Sequence, residues 1–242
     1  MTALIRYHFK TYFKSSKFIM PLAIYIIFMV MMCGGAIEDV TSILVVSMVA
    51  TYFLMVWSSF VFTDCEELVA EQIAILKSKN MKKFYLSKNI FIVCWSIIYA
   101  VMGMIVPILG KIISLIFHTA EYHNFTIGNL LIAFLLHICL GMLGAAVGFI
   151  WHPRIMANRK IAAIGAFSYG VMGIISGPLG EDFVVVKFLK YVFPPVYPTL
   201  ESLGMGERAF SFGDAIIPMV VCVVYAVVLI VINVVVLHKK GF

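Results

Sequence analysis

Residues 63–83 read TDCEELVAEQIAILKSKNMKK. They form the longest well-charged insert in an otherwise apolar chain, with four of its 12 acids and four of its 18 bases. Asp64, Glu66, Glu67 and Glu71 come first; Lys77, Lys79, Lys82 and Lys83 follow. That order suits a helix dipole, with acids at its positive end and bases at its negative end. Thr63, with Glu66 three residues on, fits a capping box in which each side chain satisfies an amide of the opening turn. Cys65, Leu68, Val69, Ile73 and Leu76 recur at helical spacing and predict one apolar face. The stretch therefore reads as a short amphipathic helix held between two membrane spans. Such an element either touches a soluble partner or lies solvated at the interface.

On both sides of this insert the composition fixes the class. Hydrophobic residues make up 63% of the chain and charged residues 12%, half the usual share in a soluble domain. A charge at the centre of a membrane helix costs roughly 2.5–3.5 kcal/mol, so charge-free runs locate the spans. They fall at about 18–37, 42–62, 88–110, 127–151, 161–179 and 215–237. Each is close to the roughly 20 residues needed to cross the hydrocarbon core. The expectation is an all-α membrane protein: six transmembrane helices in a single domain over residues 1–242.

Charge then sets orientation. With the N-terminus inside, 14 of the 18 bases lie on the inner side, while eight of the 12 acids lie outside with Lys111, Lys187, Lys190 and Arg208. This follows the positive-inside rule and predicts cytoplasmic termini. The net charge of +6 is accounted for by topology, so no nucleic-acid partner is expected. Residues 2–17 carry Arg6, Lys10, Lys14 and Lys17 on one helical face and Leu4, Ile5, Phe9, Tyr12 and Phe13 on another. That pattern predicts an amphipathic helix on membrane lipid. No signal-peptide pattern follows it. Trp57, Trp95 and Trp151 sit toward the inner ends of their spans, where Trp is expected.

Within the spans, Ser47, Thr51 and Ser58 share a face of the second, with Tyr52, Met55 and Ser59 beside them. These residues either bond a neighbouring helix or line a pathway. Gly141, Gly144, Ala145 and Gly148 in the fourth span, and Ala166, Gly170, Gly173 and Gly177 in the fifth, are small-residue stripes that let helices approach closely. His137 and Asn233 are polar outliers expected to bond a neighbouring helix. Pro107 predicts a kink or early stop in the third span. The segment 181–214 has an apolar run too short to cross, then Pro194, Pro195 and Pro198. It predicts a re-entrant or interfacial helix pair at the outer side.

Chemistry is sparse. The five cysteines are scattered and read as small apolar residues. His118, Glu121 and His123 match no metal-binding spacing, so no metal is expected. There is no Walker A loop, HExxH or GxSxG pattern, so the chain is not expected to be an enzyme. No acid sits at a span centre, so no proton relay is predicted. A transporter built this way takes its energy from another chain.

The pattern resembles the permease subunits of bacterial ABC-2 type exporters over its whole length. The resemblance rests on the N-terminal elbow-like stretch ALIRYHFKTYFKSSKF, six spans, the acidic-to-basic inside loop ending in YLSK, and the broken outer segment before the last span. Val69-Ala70 stands where that family commonly has Gly-Thr, and Lys79-Asn80 replaces a Pro neighbourhood. The resemblance implies a bacterial cytoplasmic membrane, a second permease copy or paralogue, and two ABC ATPase subunits that hold ATP and Mg, with no cofactor in this chain. It makes the 63–83 loop a coupling helix. Glu66, Glu67, Leu68, Glu71 and Ile75, with Arg154 and Arg159 of the second inside loop, would contact the ATPase. Tyr52, Met55, Ser59, Phe167 and Tyr169 would line a substrate pathway. An amphipathic peptide or hydrophobic small molecule is the implied cargo. The alternative is a non-transporting immunity or scaffold subunit that binds a partner through the same loop.

Overall fold

A computed structural model of the chain describes residues 1–33, 39–117, 123–182 and 192–240. Its helices are α1 (Thr2–Ser15), α2 (Ile19–Cys33), α3 (Val40–Phe62), α4 (Leu68–Ser78), α5 (Met81–Phe117), α6 (Ile127–Ile150), α7 (Arg159–Asp182), α8 (Val196–Ser202) and α9 (Phe212–Lys240). Five of them (α3, α5, α6, α7 and α9) are long and apolar enough to cross a membrane, and α1 with α2 adds a sixth if that bent pair counts as one span. Among the described residues the only β pairing is an isolated bridge between Asp39 and His123.

The centre of the bundle is the α3–α6 pair. On α6, Gly144 and Gly148 face the carbonyls of Tyr52 and Val56, at distances a Cβ would violate. The predicted small-residue stripe therefore does what such stripes do: backbones come together where no hydrophobic force distinguishes helix from lipid. One core lies on each side of this pair. On one side α1, α2 and α5 pack Tyr12, Tyr25, Met29, Phe91, Trp95 and Tyr99 against Leu54, Met55 and Phe149. On the other, α7, α8 and α9 bring Ala166, Val196, Leu200, Cys222 and Ala226 against α3 and α6. In α7, Gly177 meets the Tyr197 ring and Gly173 meets Pro194.

The hydroxyl face of α3 is spent between helices. Ser47 bonds His137 Nε2 at 2.8 Å, Thr51 bonds Tyr25 at 2.9 Å and Ser58 bonds Tyr99 at 3.1 Å. His137 Nδ1 donates to Ala133 O at 2.7 Å, and Asn233 donates to Phe149 O at 2.7 Å. These particular buried polar side chains are thus paired across the bundle.

Four expectations change. The capping box does not form: Thr63 ends α3 and donates its hydroxyl to Phe60 O at 2.7 Å, while α4 begins only at Leu68, behind Glu67. Lys82 and Lys83 belong to the first turn of α5, across a turn in which Lys79 adopts φ 56°. Pro107 does not stop the helix; α5 runs through it over a total of 37 residues, the hydrogen bond its nitrogen cannot donate being tolerated in a packed membrane helix. Residues 111–117, expected outside as loop, are the end of that helix. His118, Glu121 and most of the apolar run 183–193 lie outside the described residues. The chain meets the last span through α8 and a single 3-10 turn (Gly204–Gly206). There, Thr41 and Ser42 of α3 donate to Gly206 O.

Candidate functional site at the ionic end of the bundle

One end of the bundle collects α1, α4, the start of α5, the 151–158 loop and the end of α9. Ile75, Phe84, Tyr85 and Leu237 pack together there with Leu4, Tyr7 and Ile155. Beside that small core sits a buried group of charges. Glu71 is 2% exposed. Its carboxylate meets Lys88 Nζ at 2.8 Å, Arg154 Nε at 2.8 Å and His152 Nε2 at 3.5 Å. Lys88 also reaches Glu66 at 3.1 Å, and Glu66 accepts a hydrogen bond from the Tyr7 hydroxyl. Lys88 Nζ lies 5.0 Å from the Phe84 ring centre. At the rim, Arg159 donates to Asp64 at 2.8 Å, Thr63 at 3.2 Å and Trp151 O at 2.8 Å, with its guanidinium 4.0 Å from the centre of the Phe60 ring.

Six segments are joined by these bonds: α1 through Tyr7, the α3–α4 linker through Asp64 and Glu66, α4 through Glu71, α5 through Lys88, the α6–α7 loop through His152 and Arg154, and α7 through its first residue, Arg159. Burial opposes ionisation of Glu71, but the His152 hydrogen bond and the charge of Lys88 outweigh it and hold the carboxyl well below its usual range. His152 is pushed below its ordinary value first by burial. His8, 2.9 Å from Ser87, is pushed down to about 3 by burial and by the Lys88 charge. Burial, then the bond to Glu66, raises the Tyr7 phenol to about 12.

These shifts fix a pH response. The unfolded chain protonates histidine below 6.5, whereas the folded chain resists it. Stability therefore falls as pH drops from about 6.5 toward the folded values. Glu71 acts in the same direction: its contribution is present above 4.5 and is lost as pH falls through its lowered folded value. The melting temperature of the purified protein should be flat from pH 7 to 8 and decline below about pH 6.5. His8→Gln should make that decline shallower, by up to about 1.4 kcal/mol per pH unit. An unchanged slope in the variant would remove His8 from the account.

The tether decides how α4 faces. Glu71 and Ile75 point inward. The opposite side carries Val69, Ile73 and Leu76, exposed by 64%, 49% and 69%, while Leu68 in the first turn is 54% exposed. The apolar face read from the sequence exists, but it is turned away from the bundle. Of the residues expected to meet a partner, Glu67 and Leu68 are exposed; Glu66, Glu71, Ile75 and Arg154 face inward, and Arg159 is half-buried. The pathway candidates divide similarly. Tyr52, Met55 and Ser59 are fully buried where α3 meets α6, and Tyr52 donates to Gly170 O at 3.3 Å. Phe167 is 36% exposed, and the Tyr169 hydroxyl donates to Val192 O at 2.7 Å beside Tyr225.

Lys88, His152, His8 and Tyr7 were missed as members of the site. Lys88 carried a signal: a lone cation opening an apolar run needs a partner. Comparison with protein-family models, characterised proteins and solved structures finds no match to this chain.

Proposed function

We propose that this chain is the membrane-spanning subunit of an ATP-driven exporter, and that α4 is the surface on which a separate ATP-hydrolysing subunit docks. The observation that carries the reading is the outward apolar stripe of a helix anchored through buried ion pairs. Exposed Val69, Ile73 and Leu76 beside exposed Glu67 make an apolar centre with a charged edge, the make-up of a docking helix. In this reading the ionic end is cytoplasmic, as the distribution of bases favours. The chain pairs with a second permease in a bacterial cytoplasmic membrane, ATP and Mg sit on the partner, and an amphipathic peptide or hydrophobic small molecule is the cargo.

Val69→Glu with Leu76→Glu should reduce retention of a co-expressed Walker-motif ATPase by tenfold or more, since central apolar contacts each carry about 1–2 kcal/mol. Insertion and the melting temperature of the permease should not change, because both side chains are solvent-facing. Undiminished retention would overturn the docking role. A non-transporting scaffold or immunity subunit is favoured by one observation: Tyr52, Met55 and Ser59 are enclosed within a single chain. Substrate-stimulated ATP turnover by the reconstituted complex separates the two, since a scaffold gives none.

A further inference from the structure

We propose that the groove between α1 and α4 is a binding site for one anionic phospholipid of the leaflet on which α1 lies. The groove encloses about 590 Å³, within the range of small-molecule sites. Its floor is apolar: Ala3 and Leu4 from α1, and Ala70, Ile73 and Ala74 from α4. Lys77, at the end of α4, and Lys83, at the start of α5, stand at its rim, and no acid lines it.

The polar groups nearby are already committed. The Tyr7 hydroxyl donates to Glu66, and Ser78 donates to Ile75 O at 2.8 Å. Glu66 and Glu71, the acids that would otherwise neutralise the rim, are drawn inward to Lys88. What the groove offers an occupant is an apolar slot with two cations at one end. That matches acyl chain and phosphate on one molecule. Depth agrees: α1 meets α2 at 78°, so with α2 entering the bilayer as the first span read from the sequence, α1 lies near the bilayer plane and the groove opens at headgroup level. The exposed basic residues Arg6, Lys10 and Lys14 of α1 draw anionic lipid to the same plane without forming the slot.

The site is distinct from the docking stripe. At about 100° per residue, Val69 and Leu76 point one way along α4, while Ala70, Ala74 and Lys77 point another; only Ile73 borders both. The proposal requires the chain to sit in a membrane but does not depend on transport.

The test is native mass spectrometry of the full chain released from nanodiscs of phosphatidylglycerol and phosphatidylcholine. One phosphatidylglycerol should be retained in preference to phosphatidylcholine. Lys77→Ala with Lys83→Ala should reduce that preference roughly 25-fold, at about fivefold per cation near the surface. Lys10→Ala with Lys14→Ala should leave it intact. Ala74→Phe, which fills the slot, should remove retention of either lipid. Equal loss in the Lys10/Lys14 variant would reduce the effect to diffuse attraction and overturn the site, as would undiminished retention without Lys77 and Lys83. Displacement by millimolar glycerol phosphate would show a headgroup site without an acyl slot. A photocrosslinker at Ala70 that captures protein in place of lipid would assign the groove to a protein partner; both results defeat the proposal.

Discussion

Glu71→Gln is expected to cost about 3–5 kcal/mol of stability, enough to unfold a marginal protein. The reason is what the substitution leaves behind. Lys88 is 3% exposed, and Glu71, the carboxylate that Lys88, Arg154 and His152 share, would be gone, leaving Lys88 with Glu66 alone at 3.1 Å. An uncompensated buried charge costs more than the pair contributed. Folded protein recovered by size exclusion should fall sharply, and the melting temperature of what remains should drop by many degrees. The pair can be tested against this account: Glu71→Gln with Lys88→Met removes both charges and should recover a substantial part of the loss. If the double variant is as unstable as the sum of the singles, charge imbalance is not the cause.

The second large effect lies at the α3–α6 contact. Gly148→Val should prevent the two helices from seating. A Cβ at that position falls against the Val56 carbonyl and the Ser59 hydroxyl, and the obstacle is partly backbone, which cannot rotate away. Gly144 faces the Tyr52 carbonyl in the same way. Either valine variant should abolish accumulation of folded protein. Gly128→Ala on the same helix is the control, since its nearest contact would be Thr126 Oγ1 at 4.0 Å; it should be indistinguishable from the native chain. Normal melting in Gly148→Val would mean that α3 and α6 do not approach as described.

The spans were legible because a charge in hydrocarbon is costly, so their limits are written in single letters. The small-residue stripe was legible for a related reason: Gly144 and Gly148 have no other use in a helix. Facing was not legible. Periodicity groups Leu68, Val69, Ile73 and Leu76 on one side, but it does not say which side meets the bundle. Burial at this end follows Glu71 and its partners, and those come from residues 88, 152 and 154. The capping box failed to long-range competition. Glu66 had the right spacing from Thr63, yet Tyr7 and Lys88 claim it, and Thr63 bonds its own helix. Local rules assume local partners, and in a crowded polar corner that assumption breaks first.

The length of α5 has a mechanical result. Its first turns are clamped by Lys88, and its 37 residues run on for roughly 55 Å at 1.5 Å per residue. A rod of that length magnifies rotation: tilting its clamped end by about 5° sweeps the far tip by roughly 5 Å. Pro107 removes one rung of the hydrogen-bond ladder without ending the rod. A tilt of a few degrees at the Glu71–Lys88 end would therefore move the far tip of α5 by several ångströms without any segment of the bundle unfolding.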